Sequence, residues 1–440
     1  MIVKRFVSRL IPFVVAGAIA LAGQAGGAGA APPASGAAVP AGVAPSADVA
    51  AIITWNNIAL HSAVVVAKQF QPQSYVYISF AQAAVYDAVD AIEGGYQPYH
   101  YRLPKREPNA SVEAAVATAA HDVLVHYFPA QQAALDADWV TSLAGVVNTP
   151  NKADGIAIGR AAAASLIAFR QGDGLEANIG FTMPAPAPGV WQLPAGQTPQ
   201  TPWLSKLRPF LLNSPDQFRP GPPPALNSPE YAASYNESKY FGAANSIYRT
   251  PAETDIALFW TSNAPTQYNT AFQNLALTRH LNPIQTARLF AMGDLVGADA
   301  LIACWDAKYT YLAWRPAFAI PQGDTDGNPL TIGDPTWKPV GATPNHPEYP
   351  SAHGCATEAT AYVLMDFLGT SNINLDVTGT APNLVQTTRH YATAADLVDE
   401  VVNARVWIGF HFRFSGLAGV HLGQRVAAWT LQRYFQPIDD

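Results

Sequence analysis

Residues 283–314, PIQTARLFAMGDLVGADALIACWDAKYTYLAW, decide the fold class that the sequence predicts. The stretch is largely apolar and has no proline after its first residue, so it predicts one long helix. Comparable helical patterns recur along the chain, at residues 51–70, 74–92, 111–128, 155–172, 253–262, 268–281, 354–368, 394–407 and 417–435. Alternating strand patterns are scarce. We therefore predict an all-α protein whose helices pack as bundles.

Length and charge narrow the class of protein further. The chain has 440 residues, of which 49% are hydrophobic and 13% charged, enough to bury a large core. Its net charge of −7 and isoelectric point near 5.8 argue against a general nucleic-acid binder, which needs a broad basic face. Cys304 and Cys355 are too few for a disulfide framework, and the sequence leaves their pairing open.

The N-terminal residues 1–30 have the three regions of a secretory signal peptide. Basic residues come first, an apolar run follows, and Ala28-Gly29-Ala30 forms an A-x-A cleavage site. An uncleaved membrane anchor is the alternative, although the apolar run is short for a span. We expect residues 31–50 to be a flexible lead-in and residues 51–440 a single helical domain, secreted or periplasmic, with no stable membrane span after cleavage.

A proline-rich segment interrupts the helical patterns between residues 182 and 229. Regular secondary structure is not expected there. Trp191, Trp203 and Phe210 punctuate the segment, however, and a plain linker rarely carries such large aromatic side chains. We therefore predict an ordered loop that packs against the surface of the domain.

Residues 308–316, KYTYLAWRP, place two cationic side chains in an otherwise aromatic and aliphatic segment. In a helix that turns about 100° per residue, Lys308 and Arg315 would project from one face. The structural alternative is a solvated helix face. The pattern becomes informative only with two further motifs that follow it.

The second motif is HPEYPSAHG, residues 346–354, a turn that leads into the helix beginning near Cys355. Such an entry presents unpaired N–H groups, which Ser351 and His353 would supplement, although simple helix capping is the alternative. The third is ARVWIGFHFRFSG, residues 404–416. Its Arg405 and His411 can reach one site only if the helix bends or ends near Gly409, and a buried structural pair is the alternative.

The ordered set of Lys-x6-Arg-Pro, Pro-Ser-x-His and Arg-x5-His, strongest over residues 300–425, resembles the signature of a known superfamily. That superfamily joins vanadium-dependent haloperoxidases to type 2 phosphatidic acid phosphatases and bacterial acid phosphatases. Residues 81–99 and 188–194 resemble its haloperoxidase-related branch. The resemblance implies a mainly helical fold of two four-helix bundles with an oxyanion pocket.

The resemblance also implies a role for each motif residue. Five residues would hold the equatorial oxygens of vanadate or phosphate, the last through its backbone N–H: Lys308, Arg315, Arg405, Ser351 and Ala352. His411 would be the axial ligand of vanadium or the nucleophile towards phosphorus. His353 would be the acid–base residue, and Lys308 would polarise bound peroxide. Fixed cations and N–H donors suit either oxyanion, because both are small and multiply charged.

Three functions follow as hypotheses. The first is a secreted vanadium haloperoxidase whose partners are hydrogen peroxide, a halide and a small organic acceptor. The second is an exported phosphatase that acts through a phosphohistidine at the same site. The third is an oxyanion-binding protein without catalysis. The sequence leaves the oligomeric state open, a homodimer included.

Two positions depart from the family pattern. Ala352 stands where many members have glycine, and Ser415 stands where an Asp commonly follows the motif histidine. A carboxylate would fix the tautomer of His411, and Ser415 can do this only weakly, so vanadate affinity depends on a backbone carbonyl or another acid, Asp294 or Asp306, in its place.

Two further residues would line the halide side of the site according to the same resemblance. Trp305 lies one helical turn before Lys308, and His346 opens the second motif. A histidine at the latter position resembles the bromide-using type more than the chloride-using type.

Overall fold

Helices dominate residues 44–438, the part of the chain that the computed structural model describes, and these residues belong to one compact unit. The predicted signal peptide, residues 1–30, lies outside them. The α-helices are α1 Ala47–Leu60, α2 Gln71–Glu93, α3 Val112–Tyr127, α4 Gln132–Ala144, α5 Pro150–Arg170, α6 Pro229–Phe241, α7 Pro251–Phe259, α8 Ala264–Thr278, α9 Pro283–Tyr311, α10 Pro316–Ala319, α11 Ala352–Leu368, α12 Ala394–Trp407 and α13 Arg413–Leu431. Strands β1 Leu375–Thr378 and β2 Thr388–Tyr391 form an antiparallel hairpin. The all-α prediction is confirmed.

Helix α9 lies between two groups of helices. Helices α2, α3 and α5 pack together on one side and contact α9 through α2, whereas α11 and α13 pack on the other side, with α12 against α11. The helix is buried almost continuously from Ile284 to Lys308. A capping box stabilises the N-terminus of α9. The side chain of Asn282 accepts a hydrogen bond from the Gln285 backbone N–H at 2.9 Å, and the side chain of Gln285 accepts one from the Asn282 backbone N–H at 3.2 Å. The long apolar stretch is thus the central helix of the fold.

The first helix begins earlier than the sequence predicts. Residues 47–50 are helical rather than part of a flexible lead-in, because the Ser46 hydroxyl caps α1 by accepting from the Val49 N–H at 3.3 Å. Residues 47–66 are long and apolar enough to cross a membrane by length and composition alone. Ile52 and Trp55, however, are buried in the main core.

The proline-rich segment 182–229 is an ordered loop, as predicted. Its aromatic residues Trp191, Trp203 and Phe210 are buried. The carboxylate of Asp299 on α9 accepts hydrogen bonds from the backbone N–H groups of residues 210–212 at 2.7 to 2.8 Å. Because a buried carboxylate and three otherwise unpaired N–H groups satisfy one another, the loop is fixed to the central helix.

The prediction that Lys308 and Arg315 share one helix is wrong. Helix α9 ends at Tyr311, and Leu312 adopts a left-handed conformation with φ of 49°. Arg315 instead precedes the short helix α10, with extended backbone. The physical reason is Pro316, whose ring disfavours helical geometry at the residue before it. Both cationic side chains nevertheless reach the same region, because the chain reverses after α9.

Glycines bring α11 and α13 into close contact. A Cβ atom added at Gly419 would lie 2.5 Å from the carbonyl oxygen of Ser351, and one added at Gly423 would meet the carbonyl oxygen of Cys355. Backbones can approach this closely only where side chains are missing. The N-terminal turn of α11 is therefore held directly against α13.

We expect Gly423→Ala to lower the free energy of unfolding by about 1–3 kcal/mol, the usual cost of overpacking a rigid contact. Urea unfolding followed by circular dichroism measures the effect. Gly221→Ala is the matched control, since a Cβ atom at that position has no neighbour within 4 Å. Equal stability of the two variants would contradict the close helix contact.

Candidate active site

Three chain segments converge on one cavity. They are the end of α9, the loop of residues 346–351 that enters α11, and the junction between α12 and α13. The cavity is lined in part by residues of each of the last two segments and by Trp305 of α9. The structure thus brings together the three motifs that the sequence singles out.

Lys308 is buried and bonded to the backbone of the entering loop. Its ammonium donates to the carbonyl oxygens of Pro347 at 2.8 Å, Glu348 at 2.9 Å and Pro350. These acceptors use all three N–H groups of the lysine. Lys308 therefore holds the loop in place and acts on the cavity through its charge, rather than by the direct oxyanion contact that the resemblance implies.

Arg315 links the loop to the α12–α13 junction. Its Nε donates to the carbonyl oxygen of His346 at 2.8 Å, and its Nη1 donates to that of Phe410 at 3.0 Å. The same Nη1 lies 3.4 Å from Nε2 of His411. The guanidinium is fully buried behind the cavity wall.

Arg405 and His411 reach one site because α12 ends between them, as predicted. The helix stops at Trp407, and Gly409 takes a φ of 80° that a residue with a side chain rarely adopts. Nη1 of Arg405 donates to the carbonyl oxygen of Trp260 at 2.8 Å. The guanidinium also lies over the ring of Phe410, 5.0 Å from its centroid.

The first turn of α11 faces the same cavity. Ser351 occupies the N-cap position, but its hydroxyl makes no capping bond. Ala352 and His353 line the cavity, and His353 hydrogen-bonds the backbone of Trp260. The first N–H groups of a helix have no partner within the helix and carry partial positive charge. This turn therefore offers an anion both backbone and side-chain donors.

Glu348 is the acidic partner of His411. Its Oε1 lies 2.9 Å from Nδ1 of His411 and accepts from the Phe412 N–H at 3.1 Å. Both side chains are buried. The carboxylate fixes the proton on Nδ1, so Nε2 is left as the basic nitrogen of a residue that lines the cavity.

The expectation that Asp294 or Asp306 replaces the missing acid is wrong. Asp294 accepts from the Asn269 amide at 2.8 Å within the core, and Asp306 pairs with Arg219 through Oδ2 at 2.5 Å. Ser415 has a different role, since its hydroxyl donates to the carbonyl oxygen of Glu348 at 3.3 Å. The serine therefore helps to hold the loop that carries the carboxylate.

Burial of the three cations is energetically costly. It lowers the pKa of Lys308 to about 8, of Arg315 to about 10 and of Arg405 to about 9, and the positive charge of Arg315 adds to the shifts of Lys308 and Arg405. Glu348 supplies one negative charge among them, but burial raises its pKa to about 7 in spite of the nearby cations. A bound anion would offset the repulsion and favour the charged form of every cation.

The same burial and the same positive charges also lower the pKa values of the imidazoles in the site. Burial, followed by the positive charges of the arginines and lysine, holds the pKa values of His346, His353 and His411 well below the ordinary value. All three are therefore neutral near pH 7 in the protein alone. A neutral imidazole is what ligation of a metal or abstraction of a proton requires.

Several buried polar atoms around the cavity have no hydrogen-bond partner in the protein. They include Nε1 of Trp305, Oγ of Ser351, Nε2 of His353, Nε of Arg405 and Oη of Tyr75. A buried donor without a partner costs about 1–3 kcal/mol, so such a group usually faces a ligand. Residues 44–438 contain no group of three or more His, Cys, Asp or Glu placed to hold a bare metal cation. The arrangement fits a small oxyanion.

An aromatic wall borders these donors. The rings of Trp305 and His346 lie 4.8 Å apart, and Phe70 lies 6.3 and 5.8 Å from them respectively. The two positions that the resemblance assigns to the halide side are thus neighbours on one wall. Phe70 belongs to the segment before α2 and completes that wall.

A family model, the VCPO second helical-bundle domain, matches residues 288–440 of the chain. Vanadium chloroperoxidase from Curvularia inaequalis is 25% identical in an alignment that covers 49% of this chain and 46% of that protein. These matches confirm the resemblance of the chain to the superfamily of vanadium-dependent haloperoxidases and type 2 phosphatidic acid phosphatases. The match thus spans about half the length of the curated relative, and the family model begins within α9.

Solved structures share the fold of this chain over most of its length. The first bacterial vanadium-dependent iodoperoxidase structure superposes with a TM-score of 0.71 at 21% identity and covers 89% of this chain and 97% of its own. A holo-type bacterial vanadium-dependent chloroperoxidase superposes with a TM-score of 0.67 at 18% identity. This likeness covers 82% of this chain and 92% of that protein's chain. Both likenesses therefore extend well beyond residues 288–440, the segment that the family model matches.

Sequence reasoning missed three contributors to this site. Glu348 is an acid between two prolines in an otherwise uncharged part of the second motif, which was an available signal. The carbonyl of Trp260 and the ring of Phe70 had no such signal in the sequence. Both come from chain segments remote from the motifs, and only the packing of α2, α7 and α11 brings them to the cavity.

We expect Glu348→Gln to weaken orthovanadate binding roughly 10–100-fold, the usual effect of losing a partner of a metal-ligating histidine. The amide keeps the shape of the side chain but loses the charge that fixes the tautomer of His411. Titration of the apoprotein with orthovanadate, followed by the fluorescence of Trp305 and its neighbours, measures the affinity without any turnover.

Glu358→Gln is the matched control for this comparison. Glu358 is a second buried acid on α11 whose pKa burial also raises to about 7, but it does not line the cavity. An equal loss of affinity in both variants would mean that the effect comes from the fold in general, and the role of Glu348 would be rejected.

Proposed function

We propose that the protein is an exported vanadium-dependent haloperoxidase that oxidises bromide in preference to chloride with hydrogen peroxide. The observation that carries the proposal is the set of unpartnered polar atoms of Ser351, His353 and Arg405 next to the aromatic wall of Trp305. The names of the relatives, a vanadium chloroperoxidase and a vanadium-dependent iodoperoxidase, support the same activity.

Vanadate, when bound, would supply a Lewis acid that activates hydrogen peroxide towards the halide. Arg405, the Ser351 hydroxyl and the Ala352 N–H would hold its oxygens, since they combine charge with free donors at a helix N-terminus. Lys308 and Arg315 would add positive charge from behind the cavity wall. Low dielectric surroundings make this charge more effective than it would be in water.

His411 would bind vanadium through Nε2. The hydrogen bond of its Nδ1 to Glu348, at 2.9 Å, orients the ring and raises the basicity of Nε2. Because Glu348 also accepts from the Phe412 backbone, the carboxylate is itself held in place. The chain thereby compensates for Ser415 with an acid from another segment.

His353 would move the protons. Its Nε2 is buried, unpartnered and neutral at pH 7, so it can accept a proton from hydrogen peroxide and return it to the departing oxygen. The overall reaction converts halide, hydrogen peroxide and one proton into hypohalous acid and water. The halide loses two electrons, and the peroxide O–O bond accepts them as it breaks.

The halide would lie against the aromatic wall. The unpartnered indole N–H of Trp305 is a donor to an anion there, and the rings of Phe70 and His346 surround it with weakly polar surface. A larger halide gives up its hydration more easily, so this surface favours bromide over chloride.

Phosphatase activity is the second candidate, and the orientation of His411 favours it too. A neutral imidazole whose Nδ1 is held by a carboxylate presents Nε2 as a nucleophile to phosphorus.

Export is supported by residues 1–30, whose sequence has the regions of a signal peptide.

We expect the purified protein, after incubation with orthovanadate, to brominate a dione dye only when both peroxide and bromide are present. Hydrolysis of an aryl phosphate, measured without vanadate or peroxide, should be slower by comparison. Rapid phosphate release with no halogenation would overturn the haloperoxidase proposal in favour of the phosphatase.

We expect the two site histidines to differ in role. His411→Ala should abolish turnover while the cations retain some oxyanion binding, because it loses the metal ligand. His353→Ala should bind orthovanadate and slow bromination by about 10²–10⁴-fold, the usual contribution of a general acid–base. Orthovanadate titration and initial rates measure both effects.

The pH dependence adds a second check on His353. Since burial and nearby cations lower its pKa, the acid limb of kcat/KM should lie below pH 6.5 and should disappear in His353→Ala. His421→Ala, at an exposed position on α13, is the control. A His353 variant that fails to bind vanadate, beside a His411 variant that binds it normally, would reverse the two roles.

A further inference from the structure

The cavity extends beyond the cationic residues into an apolar region, which we term the vestibule. The vestibule consists of residues contributed by four separate segments: Phe70, Pro72, Leu258, Ala264, Pro344 and Ile408. At the inner end of the cavity, Trp305 and His411 are buried, whereas Ala342 at the outer end is exposed. A ligand entering from solvent therefore passes the vestibule before it reaches the site of halide oxidation.

The size of the cavity exceeds what oxyanion, peroxide and halide require. Its volume is about 340 Å³. An apolar cavity of roughly 150 Å³ is enough to hold benzene in a protein core, and pockets for small organic ligands begin near 300 Å³. Small ions at the inner end leave room for about one substituted aromatic ring in the vestibule.

We propose that the vestibule binds the organic acceptor, a small, uncharged, electron-rich aromatic compound of phenol type, so that the halogen is transferred inside the cavity. This inference rests on the proposed haloperoxidase function and adds a substrate class to it. It differs from a haloperoxidase that releases hypohalous acid to react in solution.

The lining selects for this class of compound. Arg405 and the histidines lie at the inner end, and the described residues that form the vestibule carry no charge. A charged or sugar-like acceptor would lose hydration there without gaining partners. The rings and aliphatic groups of Phe70, Leu258 and Ile408 instead offer the contact surface that an aromatic ring requires.

Two polar groups beside the vestibule could orient a phenolic hydroxyl. Thr261 donates its hydroxyl proton to the carbonyl oxygen of Leu258 at 2.7 Å, so the lone pairs of its oxygen remain available as acceptors. Gln71 makes only long hydrogen bonds, at 3.4 Å to the Ala264 N–H and 3.5 Å to the Ser262 carbonyl. Either would hold the hydroxyl near the outer end and the ring carbons towards the halide.

The transfer step balances without a further reagent. An aromatic C–H compound and hypohalous acid give the aryl halide and water. The ring carbon forms a bond to halogen, and the halogen–oxygen bond breaks with its electron pair remaining on oxygen. The proton lost from the ring carbon joins that oxygen to form water. Hydrogen peroxide, the oxidant in the proposed function, has already supplied the oxidising equivalent.

Isothermal titration of the apoprotein with thymol, an uncharged alkylphenol, tests the vestibule without vanadate, peroxide or halide. We expect saturable binding at one site. Leu258→Trp and Ala342→Trp should each weaken it about tenfold or more, because the added indole takes the space and apolar contacts of the ring. Ala342 lies on an exposed loop, so its variant should fold even if the Leu258 variant does not.

Leu277→Trp is the matched control, since Leu277 is 37% exposed on α8 and does not line the cavity. It should bind thymol as the parent protein does. Absence of saturable binding to the parent, or equal binding by parent and both vestibule variants, would overturn the inference.

A two-chamber experiment distinguishes this inference from the proposed function. The vanadate-loaded parent protein, peroxide and bromide are placed on one side of a dialysis membrane, and thymol is placed on one side or the other. We expect bromothymol when protein and thymol share a chamber and little when they are separated. Equal yields would mean transfer in solution and would overturn the vestibule inference while leaving haloperoxidase function intact. Thymol binding with no bromide oxidation would instead reject the function.

Discussion

Three cationic side chains lie buried around one cavity, and the cost of burying them, to which repulsion by Arg315 adds, is the constraint on which the arrangement of the site depends. Lys308, Arg315 and Arg405 each have a lowered pKa because water is excluded from them. Backbone carbonyls and the single carboxylate of Glu348 offset this cost only in part. A multiply charged oxyanion would supply the missing negative charge, so binding and the stability of the site are linked.

The rest of the fold holds these charges in place. Lys308 binds the carbonyls of the loop that enters α11, and Ser415 holds the same loop from α13. Glycines at positions 419 and 423 let α13 approach the backbone of that first turn closely. The donors of α11 therefore belong to a rigid frame, which is what electrostatic stabilisation of a reacting oxyanion requires.

The sequence predicted the helical class, the proline-rich loop and the three segments that form the site. These features rest on local signals, namely apolar periodicity, aromatic residues among prolines, and motif spacing. It did not predict the end of α9 at Tyr311, although Pro316 was a signal for it, nor the bonds that direct Lys308 to the loop. Glu348 was missed because its partner lies 63 residues away, and no local pattern encodes such a contact.

The apolar vestibule illustrates the same difference between local and tertiary information. Each of its residues reads as an ordinary core or loop position in the sequence, and the cavity exists only once separate segments meet. Its position next to the charged inner end joins two environments in one cavity. One attracts small anions, and the other favours an uncharged ring.

A crystal structure of the protein grown with orthovanadate tests the central claim most directly. We expect vanadium density at the inner end of the cavity, bonded to Nε2 of His411 and within hydrogen-bond distance of the Ser351 hydroxyl and the Arg405 guanidinium. Well-ordered crystals at saturating orthovanadate with no density there, or with vanadium bound elsewhere, would contradict it.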